Sequence, residues 1–478
     1  MTRRIISLSI LSIAIFTCLA NFIFAQEQNF PGVNFDPQDK ILILAPHPDD
    51  EVIGCAGVIQ KARALNLPIH IVFLTYGDNN EWSFFVYRKH PVIVPQAVRN
   101  FGLIRHDEAI AADWALGVSP SNLTFLGYPD FETMNIWNSH WGKSPPGKGM
   151  LNNSTKVPYK NAFRPGAPFK GEEILKDIKT ILLKYKPTKI FLSHPSDHNG
   201  DHRALFLFTQ VALWDLENKI PKATLYPYLV HFKDWPMPRG FFPTKKLQPP
   251  KLLEKIFWQE ELLNPDELNK KSLAIKKHRS QYISSPGYLI TFVRPNELFG
   301  DYPEFKLSSD DSSISLFNEP GADIAELQNE HIKEGPVSFV GSEKHSLRLE
   351  DNKLVFNVEF SRPFAKTIGA SIYLFGYRND RIFAEMPKLN IRFGQWMFQV
   401  TDCGRSIPTD KIKIKRSGKN LTVKVPLEIL GNPQQVLFSA RTYLFSGVAL
   451  DWISWHAVEI KNDYVVETNE LKYEDLGD

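Results

Sequence analysis

The chain has 478 residues, and at about 150 residues per domain that is room for about three domains, or for one large domain and a smaller one. With 43% hydrophobic, 12% aromatic and 23% charged residues the composition is that of an ordinary globular protein, which excludes collagen, coiled coil and a largely disordered chain. The 56 Lys and Arg against 53 Asp and Glu leave a net charge of +3 with no basic tract, so nothing reads as an electrostatic footprint for nucleic acid.

Arg3 and Arg4 precede an apolar run from Ile5 to Ala25, after which Gln26, Glu27 and Gln28 begin a polar stretch. A charged start, an apolar stretch and a polar exit predict a signal peptide over residues 1–25, and hence export to the periplasm or beyond. The rival reading is an uncleaved N-terminal anchor, since about 20 apolar residues can just span a hydrocarbon core. That segment is the only membrane contact expected. Cys18, with Phe16 and Thr17 before it, sits in a poor context for lipid attachment. Cys55 and Cys403 then remain, far apart, and read as small buried hydrophobes rather than as a disulfide framework.

From Lys40 onward, short β-branched runs alternate with helical stretches. Residues 41–45, 69–75, 123–126 and 189–193 read as strands buried on both faces of a parallel sheet. Residues 52–65, 98–116, 172–185 and 201–216 read as helices, the second closed by Gly117. Strands alternating with helices predict βαβ units with right-handed crossovers. Two irregular segments, 78–95 and 133–167, are rich in aromatics, Gly, Pro and Asn, as rims and lids of binding sites are. Residues 305–324 read as a linker. Beyond it, alternating runs at 346–349, 353–360, 370–376, 389–393, 421–425, 436–442 and 457–460 without intervening helices predict an antiparallel sandwich. The expected fold is therefore α/β, a Rossmann-like and mainly parallel sheet with helices on both faces over 36–304, followed by an all-β sandwich over 325–478.

The first strand runs into Pro46-His47-Pro48-Asp49-Asp50-Glu51 at the C-terminal edge of the sheet, where open α/β sheets bind ligands. Carboxylates at this place also suit plain helix capping, but His47 does not. A second cluster weighs toward function. The strand at 189–193 ends in His194-Pro195-Ser196-Asp197-His198-Asn199-Gly200-Asp201-His202-Arg203-Ala204, and solvated loops rarely collect imidazoles without a use. If the two strand ends are neighbours, His47, one of Asp49 and Asp50, and one histidine of the second cluster can converge on one ion. Two imidazoles and a carboxylate with an open position form a catalytic zinc arrangement, and the other aspartate is left to take a proton.

These motifs resemble the PIG-L/LmbE-type metal-dependent de-N-acetylases, which act on N-acetylglucosamine-containing substrates. The resemblance covers roughly residues 36–300. It rests on Pro-His-Pro-Asp-Asp-Glu at 46–51, Thr75-Tyr76-Gly77-Asp78, Arg105-His106-Asp107-Glu108-Ala109 leading to Leu116-Gly117-Val118, Asp201-His202-Arg203-Ala204, His278-Arg279-Ser280-Gln281 and Asn296-Glu297-Leu298-Phe299, in that order. It implies that His47, Asp50 and His202 bind Zn2+, with Fe2+ as the alternative ion, that Asp49 is the general base, that Arg105 lies near the substrate, and that Asp201 orients a ligand or a neighbouring imidazole. Members often place an oxyanion-stabilising histidine three residues before the last ligand. Here that position is Asn199, so the expected donor is His198, with Asn199 as a substrate contact. The mechanism implied is direct water attack on an N-acetylated sugar or glycoconjugate. The other readings are a metallohydrolase of another amide or an O-acyl ester, and a glycan-binding protein without turnover. Trp82, Trp137 and Trp141 could stack on sugar rings or anchor their loops. In the β part, Trp396, Trp452 and Trp455 suit either carbohydrate binding or core packing.

Overall fold

The computed structural model describes residues 28–89, 93–308, 314–315, 342–360, 368–394, 397–444 and 449–461. The segment 1–25, most of the stretch read as a linker, Trp396 and the Trp452 side chain lie outside the described residues. Among the described residues no helix is long and apolar enough to cross a membrane.

The first half runs β1 (Ile41–Ala45), α1 (Asp50–Ala64), β2 (Ile69–Thr75), α2 (Glu81–Arg88), α3 (Pro95–Ala115), β3 (Leu123–Tyr128), α4 (Thr133–Ser139), α5 (Gly171–Tyr185), β4 (Lys189–Ser193), α6 (Gly200–Asp215), β5 (Thr224–Tyr228), β6 (Trp258–Leu262), α7 (Pro265–Lys277), α8 (Arg279–Ser284), α9 (Pro286–Leu289) and β7 (Asn296–Gly300). Its sheet has the order β3-β2-β1-β4-β5-β7-β6. The first five strands are parallel, and β7 and β6 close one edge antiparallel. Every residue of β1 is buried, as the unbroken apolar run Ile-Leu-Ile-Leu-Ala requires of a strand covered on both faces. From β1 the chain builds outward through β2 to β3, then returns to lay β4 on the other side of β1. That reversal opens a crevice at the carboxyl ends of β1 and β4, the place where such sheets bind ligands.

The helices are more numerous than the sequence pattern suggests. Both segments expected to be irregular carry one, α2 in the first and α4 in the second. The Asn80 side chain caps α2 by accepting the Ser83 N–H, a local signal hidden by the aromatic composition around it. Helix α1 lies very close to the sheet: a β-carbon on Gly54 would stand 2.6 Å from the Tyr228 ring. The Asn296–Phe299 motif has a structural use. Glu297 accepts the Gly57 and Val58 N–H groups and pairs with Lys271 at 2.7 Å, fully buried, tying α1 to β7 and α7.

Among the described residues the second half is strands joined by turns and two short 3-10 helices: β8 (Phe305–Ser308), β9 (Ile314–Ser315), β10 (Ser342–Glu350), β11 (Lys353–Phe360), β12 (Ile368–Tyr377), β13 (Lys388–Phe393), β14 (Phe398–Asp402), β15 (Arg405–Ser406), β16 (Lys413–Ser417), β17 (Asn420–Pro426), β18 (Gln435–Leu444) and β19 (Ala449–Lys461). They form two sheets, β16-β17-β11-β10-β9 and β15-β14-β13-β12-β18-β19-β8. One correction concerns residues 305–308, expected in a linker. They form strand β8, parallel to β19 and completing the edge of the larger sheet.

A continuous apolar core joins the two halves. Trp137 and Trp141 of the α4 region are fully buried, and Trp455 is 5% exposed. Trp137 stacks on Phe375 at 5.6 Å between ring centroids, meets Phe208 edge-on at 5.0 Å and lies 6.1 Å from Trp455. The Lys388 ammonium sits 4.7 Å from the Trp141 ring centre. Of the two uses open to these three tryptophans, the structure shows packing: they glue the β domain to α4 and α6 and offer no face to a sugar.

Candidate metal and catalytic centre

The rings of His47 and His202 lie 5.3 Å apart between centroids. His47 comes from the turn after β1 and His202 from the first turn of α6, so the adjacency of β1 and β4 brings them together. Asp50, the first residue of α1, stands between them. Its Oδ2 is 3.1 Å from His47 Nδ1 and 3.2 Å from His202 Nε2, and these three side chains could hold one ion between them.

The opposite nitrogen of each imidazole is held by a carboxylate. His47 Nε2 lies 3.1 Å from Asp201 Oδ2 and 3.0 Å from Asp130 Oδ1. His202 Nδ1 lies 3.2 Å from Asp197 Oδ2. Such partners fix ring orientation and raise ligand basicity. Each is itself anchored. Asp201 accepts the Phe131 and Thr133 N–H groups and the Thr133 hydroxyl, and Asp197 accepts the N–H groups of Asn199, Val230 and His231. Burial by itself would lower the pKa of both imidazoles. The carboxylates of Asp130, Asp201 and Asp50 overcome that for His47 and hold it well above its ordinary value, and those of Asp197 and Asp50 raise His202 to about 9. The pocket is therefore electrostatically built for positive charge.

Asp49 occupies the N-cap position of α1, yet its side chain makes no capping hydrogen bond, which removes the capping explanation for this residue. It lines the cleft instead, with Oδ2 3.4 Å from Arg105 Nη2. Burial pushes its carboxyl up to about 7, against the pull of the Arg105 guanidinium, which places it where a general base works at neutral pH. Arg105 donates to the Gly77 and Pro48 carbonyls at 2.7 Å each, so it braces two loops against each other at the cleft wall. Gly77, at φ +62°, leaves the room for it: a β-carbon there would stand 2.1 Å from Arg105 Nη1.

The cleft, about 330 Å³, has Asp49, Asp130, Asn199 and His231 on its polar wall and Phe131, Val230 and Leu289 among its apolar residues. Asn199 is committed through Oδ1 to the Asp201 N–H as the cap of α6, leaving Nδ2 as its donor. His198 does not line the cleft. Its ring packs on Phe232 at 4.6 Å, and burial pushes its pKa down to about 4. Besides His47, the imidazole that faces the cleft is His231, edge-on to His202 at 4.9 Å and in contact through Nδ1 with the Tyr288 hydroxyl at 3.2 Å. Trp82 is 64% exposed on α2, donates to the Ser284 carbonyl and is not among the residues lining the cleft. His194 is buried in the core, stacked at 6.0 Å on Trp258. Cys55 is buried and Cys403 half-buried, both free thiols.

The sequence motifs give Asp130 and His231 no role and include Asp197 only as a member of the second cluster. Asp130 follows β3 in the run Tyr128-Pro129-Asp130-Phe131-Glu132, and His231 follows β5 with no motif around it. The only available signal is their place at the C-terminal end of a parallel strand.

No curated protein matches the chain in sequence. Among solved structures it is similar to the N,N'-diacetylchitobiose deacetylase of Pyrococcus horikoshii, with 20% identity, a TM-score of 0.35 and coverage of 55% of this chain and 86% of that one. It is also similar to the zinc-inhibited form of a teicoplanin deacetylase, with 15% identity, a TM-score of 0.35 and coverage of 55% and 97%, and to the 4-carboxy-2-hydroxymuconate hydratase of Pseudomonas putida, with 17% identity, a TM-score of 0.31 and coverage of 55% and 97%. The PIG-L family, described as GlcNAc-PI de-N-acetylase, matches residues 42–213, the stretch from β1 through α6 that supplies His47, Asp49, Asp50 and His202, and the chain carries a domain of that family.

Proposed function

We propose that this protein is a metal-dependent de-N-acetylase that releases acetate from an N-acetylglucosamine-containing glycan or glycoconjugate. The observation that carries the reading is the convergence of His47 Nδ1, Asp50 Oδ2 and His202 Nε2 beside an uncapped Asp49 in the cleft of a PIG-L domain. Two imidazoles and one carboxylate, each imidazole backed by a further carboxylate, fit a divalent cation, and this donor set suits zinc, with iron(II) as the alternative. When bound, the cation supplies Lewis acidity toward the amide carbonyl and acidifies a water molecule.

The chain's own residues do the rest. Asp49 accepts the proton of the attacking water and is placed to return it to the departing amine. Arg105 holds that carboxylate against the cleft wall. The Asn199 amide, with Oδ1 used in capping, donates through Nδ2 toward the developing oxyanion, in place of the His198 expected from sequence. His231, its Nδ1 oriented by Tyr288, takes a polar contact with the substrate at Nε2. Asp201 and Asp197 keep the two ligand imidazoles in orientation. The apolar wall at Phe131 and Leu289 receives the less polar face of the sugar or its aglycone. Residues 1–25 are proposed to direct export, or to anchor the protein at a membrane.

The test is acetate release from a panel of N-acetylated and O-acetylated sugars by the purified protein, with metal content measured before and after chelation. Release from N-acetylated substrates, lost on metal removal and restored by zinc or iron(II), supports the reading. Turnover that survives complete metal removal, or release confined to O-acetyl esters, rejects it.

A further inference from the structure

The His278-Arg279-Ser280-Gln281 motif has no part in the chemistry above, yet it reaches the base. Asp49 has φ +131°, a backbone conformation that side-chain-bearing residues rarely adopt and that persists only where the surroundings over-determine it. The constraints are visible on both sides of the residue. Its carbonyl accepts the Val52 and Ile53 N–H groups at 3.1 and 2.9 Å, the first bonds of α1. The preceding carbonyl, of Pro48, is taken by Arg105. Its own N–H is received by Glu51 Oε2 at 2.8 Å. Glu51 is thus an acidic residue of the first helical turn that folds back onto the residue before the helix. The other Glu51 oxygen, Oε1, lies 3.0 Å from His278 Nε2, and both side chains are sealed from solvent. His278 in turn sits at the joint between α7 and α8, where its carbonyl accepts the Gln281 and Tyr282 N–H groups. Glu108 of α3 fixes the next turn by accepting the Ser280 N–H and hydroxyl at 2.8 and 2.7 Å.

We infer that Glu51 and His278 are positioning residues for Asp49: His278 locks the Glu51 carboxylate so that it holds the Asp49 N–H, and this bond keeps the strained backbone that aims the Asp49 carboxylate into the cleft. The inference rests on the reading of Asp49 as the general base. Without the imidazole, Glu51 loses its fixed orientation, the Asp49 N–H loses its acceptor, and the backbone relaxes toward negative φ. The carboxylate then swings off the line of the attacking water while His47, Asp50 and His202 keep their own contacts.

The experiment compares His278→Leu, which removes the hydrogen bond, with His278→Gln, whose amide can still donate to Glu51. Displacing a catalytic group by about an ångström costs up to about 10²-fold, so His278→Leu is expected to lower kcat by about tenfold or more with metal content unchanged. Its KM is expected to stay within about twofold of the parent, as for an interaction used only in the transition state. His278→Gln is expected to recover most of the rate. A His278→Leu variant that keeps the parent kcat overturns the inference, as does one that loses metal and rate together, or a Gln variant as slow as the Leu variant. If His278→Leu does not fold, His278→Asn, polar but too short to reach Glu51, takes its place with the same expectations. A crystal structure of the variant gives a reading independent of turnover. Relaxation of Asp49 to negative φ supports the inference even if the parent protein releases no acetate from any substrate, and Asp49 retained at its parent conformation overturns it.

Discussion

The turns after β1 and after β4 are built alike, since each follows a buried apolar strand, carries imidazole and carboxylates, and opens a helix at the sheet's carboxyl edge. They spend those residues differently. In the first, His47, Asp49 and Asp50 all face the cleft, and Glu51 holds the Asp49 N–H from behind. In the second, only His202 among three histidines reaches the ion-binding position. His194 packs between Trp258 and Tyr302, and His198 lies on Phe232. The two prolines flanking His47 keep the first turn short, so every side chain stays near the strand end. The second turn is long enough to run back over the core and against the β domain, where Ser196 meets Ser454 at 3.1 Å. An imidazole's presence in a site loop therefore says little by itself: His194, the first residue after β4, packs in the core, and His202, in the first turn of α6, is the one that meets Asp50.

Substitutions can break this contrast, most severely in the first turn. Asp49→Asn keeps the shape and removes the proposed base, and kcat is expected to fall by about 10²–10⁴-fold, the usual worth of a positioned acid or base, with metal content unchanged by elemental analysis. A variant that retains full rate would remove Asp49 from the mechanism. In the second turn, His202→Ala is expected to abolish metal retention, whereas His198→Phe keeps both metal and acetate release. Equal loss in both variants would show that the second turn also acts as a whole. Asp197→Asn, which weakens the partner of His202 Nδ1, is expected to lower metal affinity by about 10–100-fold, read by competition with a chromogenic chelator.

A weaker, pH-dependent effect is expected where the second turn meets the β domain. Tyr302 has His194 at 5.4 Å and His456 of the β domain at 5.0 Å, and burial pushes each of these imidazoles down to about 3. An unfolded histidine titrates near ~6.5. Between that value and about 3 the unfolded chain binds protons that the folded chain refuses, so stability rises with pH across the window. The contribution is complete above the upper limit and declines as the pH falls. Thermal melts from neutral pH downward should show Tm falling through this range, and His456→Gln should make the decline shallower. A Tm that is flat in the parent would mean that the two imidazoles are not held neutral at the seam.

Much of the fold was legible in the chain. The parallel strands after Lys40 announce themselves because a strand covered on both faces must be apolar along its buried length, as in residues 41–45 and in Ile190, Phe191 and Leu192. Helix α2 was hidden because its signal is a single Asn80 cap among aromatics, and β8 because four residues of an edge strand carry no period of their own. For the site, Pro46–Glu51 and Asp201–His202 stand out because unusual residue types are crowded at short spacing. Asp130 and His231 stand out only in space.

Local residue order sets the stock of chemistry and its attachment to strand ends: one imidazole and a pair of carboxylates after β1, one imidazole opening α6, and an alternating β region to follow. Which of these side chains meet is settled by how the strands pack. The order of strands in the sheet places β1 beside β4, and that adjacency is a long-range packing outcome which local spacing does not encode. Tertiary packing also decided that Trp137, Trp141 and Trp455 would be buried, because a tryptophan's use depends on whether another surface arrives to cover it, and here the β domain does.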